Sequence, residues 1–163
     1  MNNLLIIGAG GHGHVVKEIA ESLNTFDKID FIDDKSDEAI GKIDELNKFT
    51  DDYKNAFVAI GNNEVRKKIQ AQVIDLGYSV PTIIHSSAYI SPTAKIGVGV
   101  LVEPMAIINT NSIIGDGCII SLGTKIDHDI KIGEFCHINL GSIVKAGNSV
   151  DALTKVDAGE VIK

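Results

Sequence analysis

From residue 84 onward the apolar positions keep a period that suits neither a helix nor an ordinary strand. Ile or Val stands at Ile84, Ile90, Ile96, Val102, Ile108, Ile114, Ile120, Ile126, Ile132, Ile138, Val144, Val150, Val156 and Ile162. These two residue types fill only 22 of the 79 positions from 84 to 162, so fourteen consecutive hits are not coincidence. A helix buries residues at 3.6-residue spacing and a half-buried strand at alternate ones. A strict six fits short strands joined by tight turns, each hexad forming one face of a coiled prism. Two residues before each β-branched site stand mostly small residues, among them Ala94, Ala106, Ser112, Cys118, Thr124, Cys136 and Ser142. Three residues after it come Gly99, Asn111, Gly117, Gly123, Asp129, Gly141, Gly147 and Gly159. Those types tolerate the positive φ that a tight corner needs.

The first half follows another rhythm. The run "LLII" predicts a strand, and it leads into Gly8, Gly10 and Gly13 in G-x-G-x-x-G spacing. A helix should follow over "HVVKEIAESL", with Val15, Val16, Ile19, Ala20 and Leu23 on one face. The next strand, "IDFID", ends at Asp33, with Asp34 after it. Counted from Gly13, this is where the acid of such a motif stands to reach a ribose hydroxyl. A third strand, "AFVAIG", ends at Gly61, and "NNEVRKKIQAQVIDLG" reads as a second helix. The glycines let backbone N–H groups approach a phosphate, and a helix N-terminus favours negative charge. A dinucleotide fold needs two such halves and only one is present, so a single nucleotide fits better than NAD. A Gly-rich turn with no ligand is the plainer alternative. Pro81 marks the boundary between domains of residues 1–81 and 82–163.

Composition narrows the partners. The net charge of −7 disfavours nucleic acid and anionic membrane. The first apolar run is too short for a signal peptide or a membrane span. Two cysteines without a secretory signal suggest a cytoplasmic protein. Cys118 and Cys136 stand three hexads apart and should stack on successive coils, as buried thiols rather than as a disulfide.

The hexad repeat resembles the hexapeptide-repeat acyltransferases, whose left-handed parallel β-helix takes three hexads per coil. Joined to a small Gly-rich domain, it looks like the sialic acid O-acetyltransferase and UDP-4-amino-sugar N-acetyltransferase branch. The matching residues are "GAGGHG", "FIDD", "VAIGNNEVR" and "IDHDIKIGEFCHINLG". The resemblance implies an α/β N-terminal Rossmann-like βαβαβ domain followed by an all-β left-handed parallel β-helix. It implies acetyl transfer from acetyl-CoA to an amine or hydroxyl of a nucleotide sugar or sugar acid. By it, His128 is the general base, Asp129 its orienting partner, and His137 a contact to acetyl-CoA, with Gly141 and Ala146 beside it. Gly8, Gly10, Gly11, His12, Gly13, Asp33, Asp34, Gly61 and Asn62 would surround the nucleotide sugar. No metal is expected.

The chemistry asks for such residues. An attacking amine or hydroxyl must lose a proton at the thioester carbonyl, and a histidine near neutrality suits that task. A backbone N–H near Gly141 would hold the oxyanion. The pair His128 and His137 would then divide the work, one moving the proton and one positioning the donor. Plainer readings are a solvated corner for His128 and a subunit-interface residue for His137. The outward residues Leu101, Ile107, Ile113, Ile119 and Ile143 predict a homotrimer that buries them. Two departures stand out: Ser121 replaces the family's usual Asn, and the β-helix is shorter than in relatives. An abbreviated helix raises the alternative of a non-catalytic nucleotide-sugar-binding protein with an incomplete CoA site. Another small acceptor is a further alternative.

Overall fold

In a computed structural model that describes residues 1–163, the N-terminal apolar run becomes β1 (Asn3–Ile7), buried throughout. The chain divides into two units, Met1–Pro81 and Thr82–Lys163. In the first, β1 is flanked by β2 (Lys28–Ile32) and β3 (Asn55–Val58) in a parallel sheet of order β2–β1–β3. Helix α1 (Gly11–Ser22) follows β1, and α2 (Asn63–Asp75) follows β3. Leu5, Ile7, Ala56 and Val58 of the sheet pack with Ile69 and Val73 of α2 in one apolar cluster. The face of α1 that is buried comprises Gly13, Val16, Ile19 and Ala20. Val15, expected there, is exposed, and Leu23 serves as the C-cap. A position one residue before Val16 lies about 100° round the helix, which is enough to leave the face. The sheet order reverses direction at β1, so the carboxyl ends of β1 and β3 form a switch point.

The second unit contains fourteen two-residue strands, from Ile83–Ile84 to Val161–Ile162. Each pairs in parallel with the strand one coil away, as Ile119–Ile120 does with Leu101–Val102 and His137–Ile138. Three faces result. The first carries Leu101–Val102, Ile119–Ile120 and His137–Ile138; the second Ile107–Ile108, Lys125–Ile126 and Ile143–Val144; the third Ile113–Ile114 and Lys131–Ile132. The hexad Ile/Val residues point inward and stack into a single core with Val100, Ala106, Cys118, Ile130 and Cys136. Of the five outward apolar residues that predict a homotrimer, Leu101 and Ile119 are already buried within the single chain, and only Ile107, Ile113 and Ile143 are exposed.

Corners recur every sixth residue with positive φ. Eight are the Gly, Asn and Asp positions read from the sequence, and Met105, Phe135 and Leu153 take the same conformation. The Phe135 ring lies over Gly117 of the preceding coil, where any Cβ would overlap the ring. The small inward polar residues have a common task. Ser112, Cys118, Cys136 and Ser142 each donate to the carbonyl 15 residues on, at 2.7–3.0 Å, which satisfies corner carbonyls inside the core. Both cysteines are buried thiols, as expected, and form no disulfide. No helix is long and apolar enough to cross a membrane.

Candidate functional site

The glycine motif of the first unit divides into two kinds. Gly8 has φ +107, and a Cβ there would meet the Ala59 carbonyl oxygen at 2.8 Å. A Cβ on Gly13 would overlap the Gly8 carbonyl oxygen, so this glycine lets α1 pack onto the end of β1. Gly10, Gly11 and, after β3, Gly61 face open space. Gly10 caps α1 without a side-chain acceptor, which leaves the first-turn amides to an anion. These open glycines stand at the switch point.

The acids behave differently from the ribose ligands expected. One Asp33 oxygen accepts the Ala9 N–H at 2.9 Å, and the other accepts those of Lys35 and Ser36 at 2.8 and 3.1 Å. The Ala9 amide, then that of Lys35, holds this carboxyl below its ordinary value. Asp33 thus ties the glycine loop to the end of β2. Asp34 accepts the Ile43 N–H at 3.0 Å and lines a cavity of about 810 Å³ with Lys42, Asp44 and Gln72; none of the loop glycines lines it.

Asn62 caps α2 by accepting the Val65 N–H at 3.0 Å. His12, partly buried in the first turn of α1, is pushed down to about 4 by burial and then by the Arg66 charge. Its imidazole is therefore neutral at physiological pH. Arg66 itself is 1% exposed and donates to the Ile60 and Gly61 carbonyls and to Asn63 Oδ1, at 2.9, 3.2 and 2.8 Å. It shapes the loop that presents Gly61. Arg66 closes the matching segment "VAIGNNEVR", but its burial is not legible there, because an Arg in an amphipathic helix ordinarily reads as solvated.

In the second unit, the corner 127–129 joins the second face to the third. His128 is exposed there, and its Nδ1 lies 2.8 Å from Asp129 Oδ2. An ionised carboxylate only accepts, so Nδ1–H donates, and in the neutral ring the lone pair is on Nε2. The Asp129 hydrogen bond, helped by the charge of Asp127, raises the His128 pKa. Asp129 is held below its usual value by His128 and then by Asn111. Asp127 accepts the His128 N–H at 2.8 Å and Asn109 Nδ2 at 3.3 Å, so the corner is braced from the preceding coil as well as from within. A groove of about 260 Å³ beside this corner is lined by Ile107, Lys125, Asp127, Ile143 and Lys145.

His137 is not in that corner. It lies outward on the first face, where its Nε2 is 3.1 Å from Ser121 Oγ. In a three-sided coil, the edge between the second and third faces is opposite the first face. The two histidines therefore do not meet within one chain. Nor is Gly141 free to hold an oxyanion, since its N–H donates to the Leu122 carbonyl at 2.8 Å. The Ala146 N–H is likewise turned to the Asp127 carboxylate. Both amides are used to close corners. Near Ser121, Glu103 is 6% exposed, accepts the Leu122 N–H at 3.0 Å, and is pushed up by burial. Its signal in the sequence is a charge one coil before Ser121.

Comparison with known proteins agrees with both units. Residues 3–73 match the PglD N-terminal domain family. The UDP-N-acetylbacillosamine N-acetyltransferase of Bacillus subtilis (strain 168) is 33% identical over 113 residues, which are 63% of this chain and 51% of that protein. The chain thus aligns with about half the length of this curated relative. The acetyltransferase domain of PglB from Neisseria gonorrhoeae FA1090 superposes with a TM-score of 0.95 at 32% identity, over 99% of this chain and 82% of that one. PerB from Caulobacter crescentus, solved with CoA and GDP-perosamine, gives 0.86 at 31% identity, over 100% and 89% of the two chains. An α/β unit followed by a left-handed parallel β-helix is their common architecture. The chain belongs to the hexapeptide-repeat sugar acetyltransferase family.

Proposed function

We propose that this chain transfers the acetyl group of acetyl-CoA to the amine of a nucleotide-linked amino sugar, with His128 as general base. The observation that carries the reading is the exposed His128–Asp129 pair at 2.8 Å, in a chain that matches acetyltransferases along nearly its whole length. Relatives solved with acetyl coenzyme A, and with CoA and GDP-perosamine, support the two substrates. The open glycines Gly10, Gly11 and Gly61 hold the diphosphate, and the neutral His12 lies close by, at the start of α1.

The chemistry follows from the tautomer. His128 Nε2 accepts the amine proton as the nitrogen attacks the thioester carbon. Asp129 stabilises the imidazolium, the carbon–sulfur bond breaks, and the proton passes to the departing thiolate. No covalent enzyme intermediate is needed. Because His137 lies across the coil from His128, a donor touching both must sit between two copies. A homotrimer, with Ile107 and Ile143 turned inward between copies, supplies that arrangement. The buried thiols of Cys118 and Cys136 fit a reducing cytoplasm.

A mass-spectrometric screen with acetyl-CoA against UDP- and GDP-linked 4-amino sugars, sialic acids and serine tests the reading. One acetyl group added to a nucleotide amino sugar is the expected result. Acetylation of sialic acid or serine alone would move the acceptor class. An acceptor left unmodified throughout, with nucleotide still bound, would favour a binding protein.

A further inference from the structure

The catalytic corner is braced by a residue one full coil away. Asn111 stands on the coil before Asp129, and the two share the left-handed corner conformation, with φ of 58° and 56°. Stacking in register places the Asn111 amide over the Asp129 carboxylate. Its Nδ2 donates to Asp129 Oδ1 at 3.1 Å, while Asp129 Oδ2 receives His128 Nδ1–H at 2.8 Å. Asn111 is itself held from the coil before, its backbone N–H donating to Thr93 Oγ1 at 3.0 Å. A carboxylate on an exposed corner has several staggered rotamers open to it, and its hydrogen bonds decide among them. The Asn111 amide occupies the oxygen that the imidazole leaves free.

We propose that Asn111 is a positioning residue: it locks the Asp129 carboxylate so that His128 presents Nε2 to the acceptor. The proposal rests on the reading of His128 as base. The charged groups around the imidazole are Asp129 and Asp127 on its own corner, with Lys125 and Lys145 on the neighbouring groove. None of them replaces the Asn111 amide as a donor to Asp129 Oδ1.

Asn111→Gly is the clean deletion. Glycine keeps the positive φ and the N–H to Thr93, and removes only the amide. Nuclear magnetic resonance then follows the His128 ring through a pH titration of the unliganded protein, and kinetics are measured with both substrates. In Asn111→Gly the ring is expected to titrate at lower pH than in the wild type, because Asp129 no longer stays against Nδ1. The kcat is expected to fall about 3- to 10-fold, the share of one positioning hydrogen bond. KM for each substrate should stay within about twofold, since ground-state binding is untouched. Asn111→Asp, with the same shape but no donor, should lose kcat at least as far. An unmoved His128 titration, or a wild-type kcat in either variant, overturns the proposal. A wild type that acetylates nothing would sink the base assignment instead, while the titration would still decide whether the amide holds Asp129.

Discussion

At the scale of single residues, His128 and His12 show how one side chain is prepared for opposite uses. His128 is exposed, and Asp129 raises its pKa, so the ring becomes neutral, as the proposed base must be, only above a pH higher than the ordinary histidine value. Asp129→Asn removes that support and leaves the imidazole. It should lower kcat less than loss of His128 does, and move the acid limb of the rate profile to lower pH. His12 goes the other way, from 6.5 to about 4 through burial and the Arg66 charge. As pH falls below 6.5 the unfolded chain takes up the proton first. The neutral folded state therefore loses stability between those two values, by about 3 kcal/mol in all. Urea midpoints should drop over this range in the wild type and drop less in His12→Asn. Equal drops would contradict the burial of His12. The family resemblance singled out His128, Asp129 and His12, and the structure pairs the first two at 2.8 Å and buries most of the third. The bond from Asn111 to Asp129 and those from Arg66 to the Gly61 loop were not legible in the sequence, since one runs across a coil and the others start inside a helix that looks polar.

Elements show why some glycines are replaceable. Gly10 borders open space, whereas Gly13 and Gly133 touch backbone. A Cβ on Gly133 would overlap the Ala152 nitrogen of the next coil. Gly133→Ala and Gly13→Ala should each destabilise by about 1–3 kcal/mol, visible as lower melting temperatures. Gly10→Val should melt slightly below the wild type, since Val is a poorer N-cap than Gly, yet stay folded and no longer bind UDP or GDP by calorimetry; retained nucleotide binding would contradict the loop assignment. Cys118→Ser should be nearly neutral, because Ser112 and Ser142 already make the same bond to the carbonyl 15 residues on. The hexad period made the faces and most corners legible. Met105, Phe135 and Leu153 hid theirs, because residues of these types seldom turn left-handed; each has its N–H bonded to the preceding coil, at Ser87 Oγ, Asp116 O and Glu134 O. Gly141 misled for a related reason: its amide reads as free in sequence and is spent on a corner in the coil.

For the whole molecule, His128 and His137 stand on opposite sides of the coil, so the proposed mechanism requires assembly. Their closeness in sequence suggested one site. Half a turn of the prism separates them, a consequence visible only once each hexad is given its face. The exposed Ile107 and Ile143 are expected to lie between copies. Light scattering should give a trimer for the wild type and smaller species for Ile107→Lys combined with Ile143→Lys. Acetyl transfer should be lost with the assembly. The most direct test of the account is the rate of acetyl transfer against pH, measured for wild type and for His128→Ala that melts and assembles alike. A wild-type rate that falls on the acid side, and a variant slower by about 10²–10⁴-fold with that limb gone, is the predicted result. A His128→Ala protein that keeps the wild-type rate and the same pH profile would contradict it.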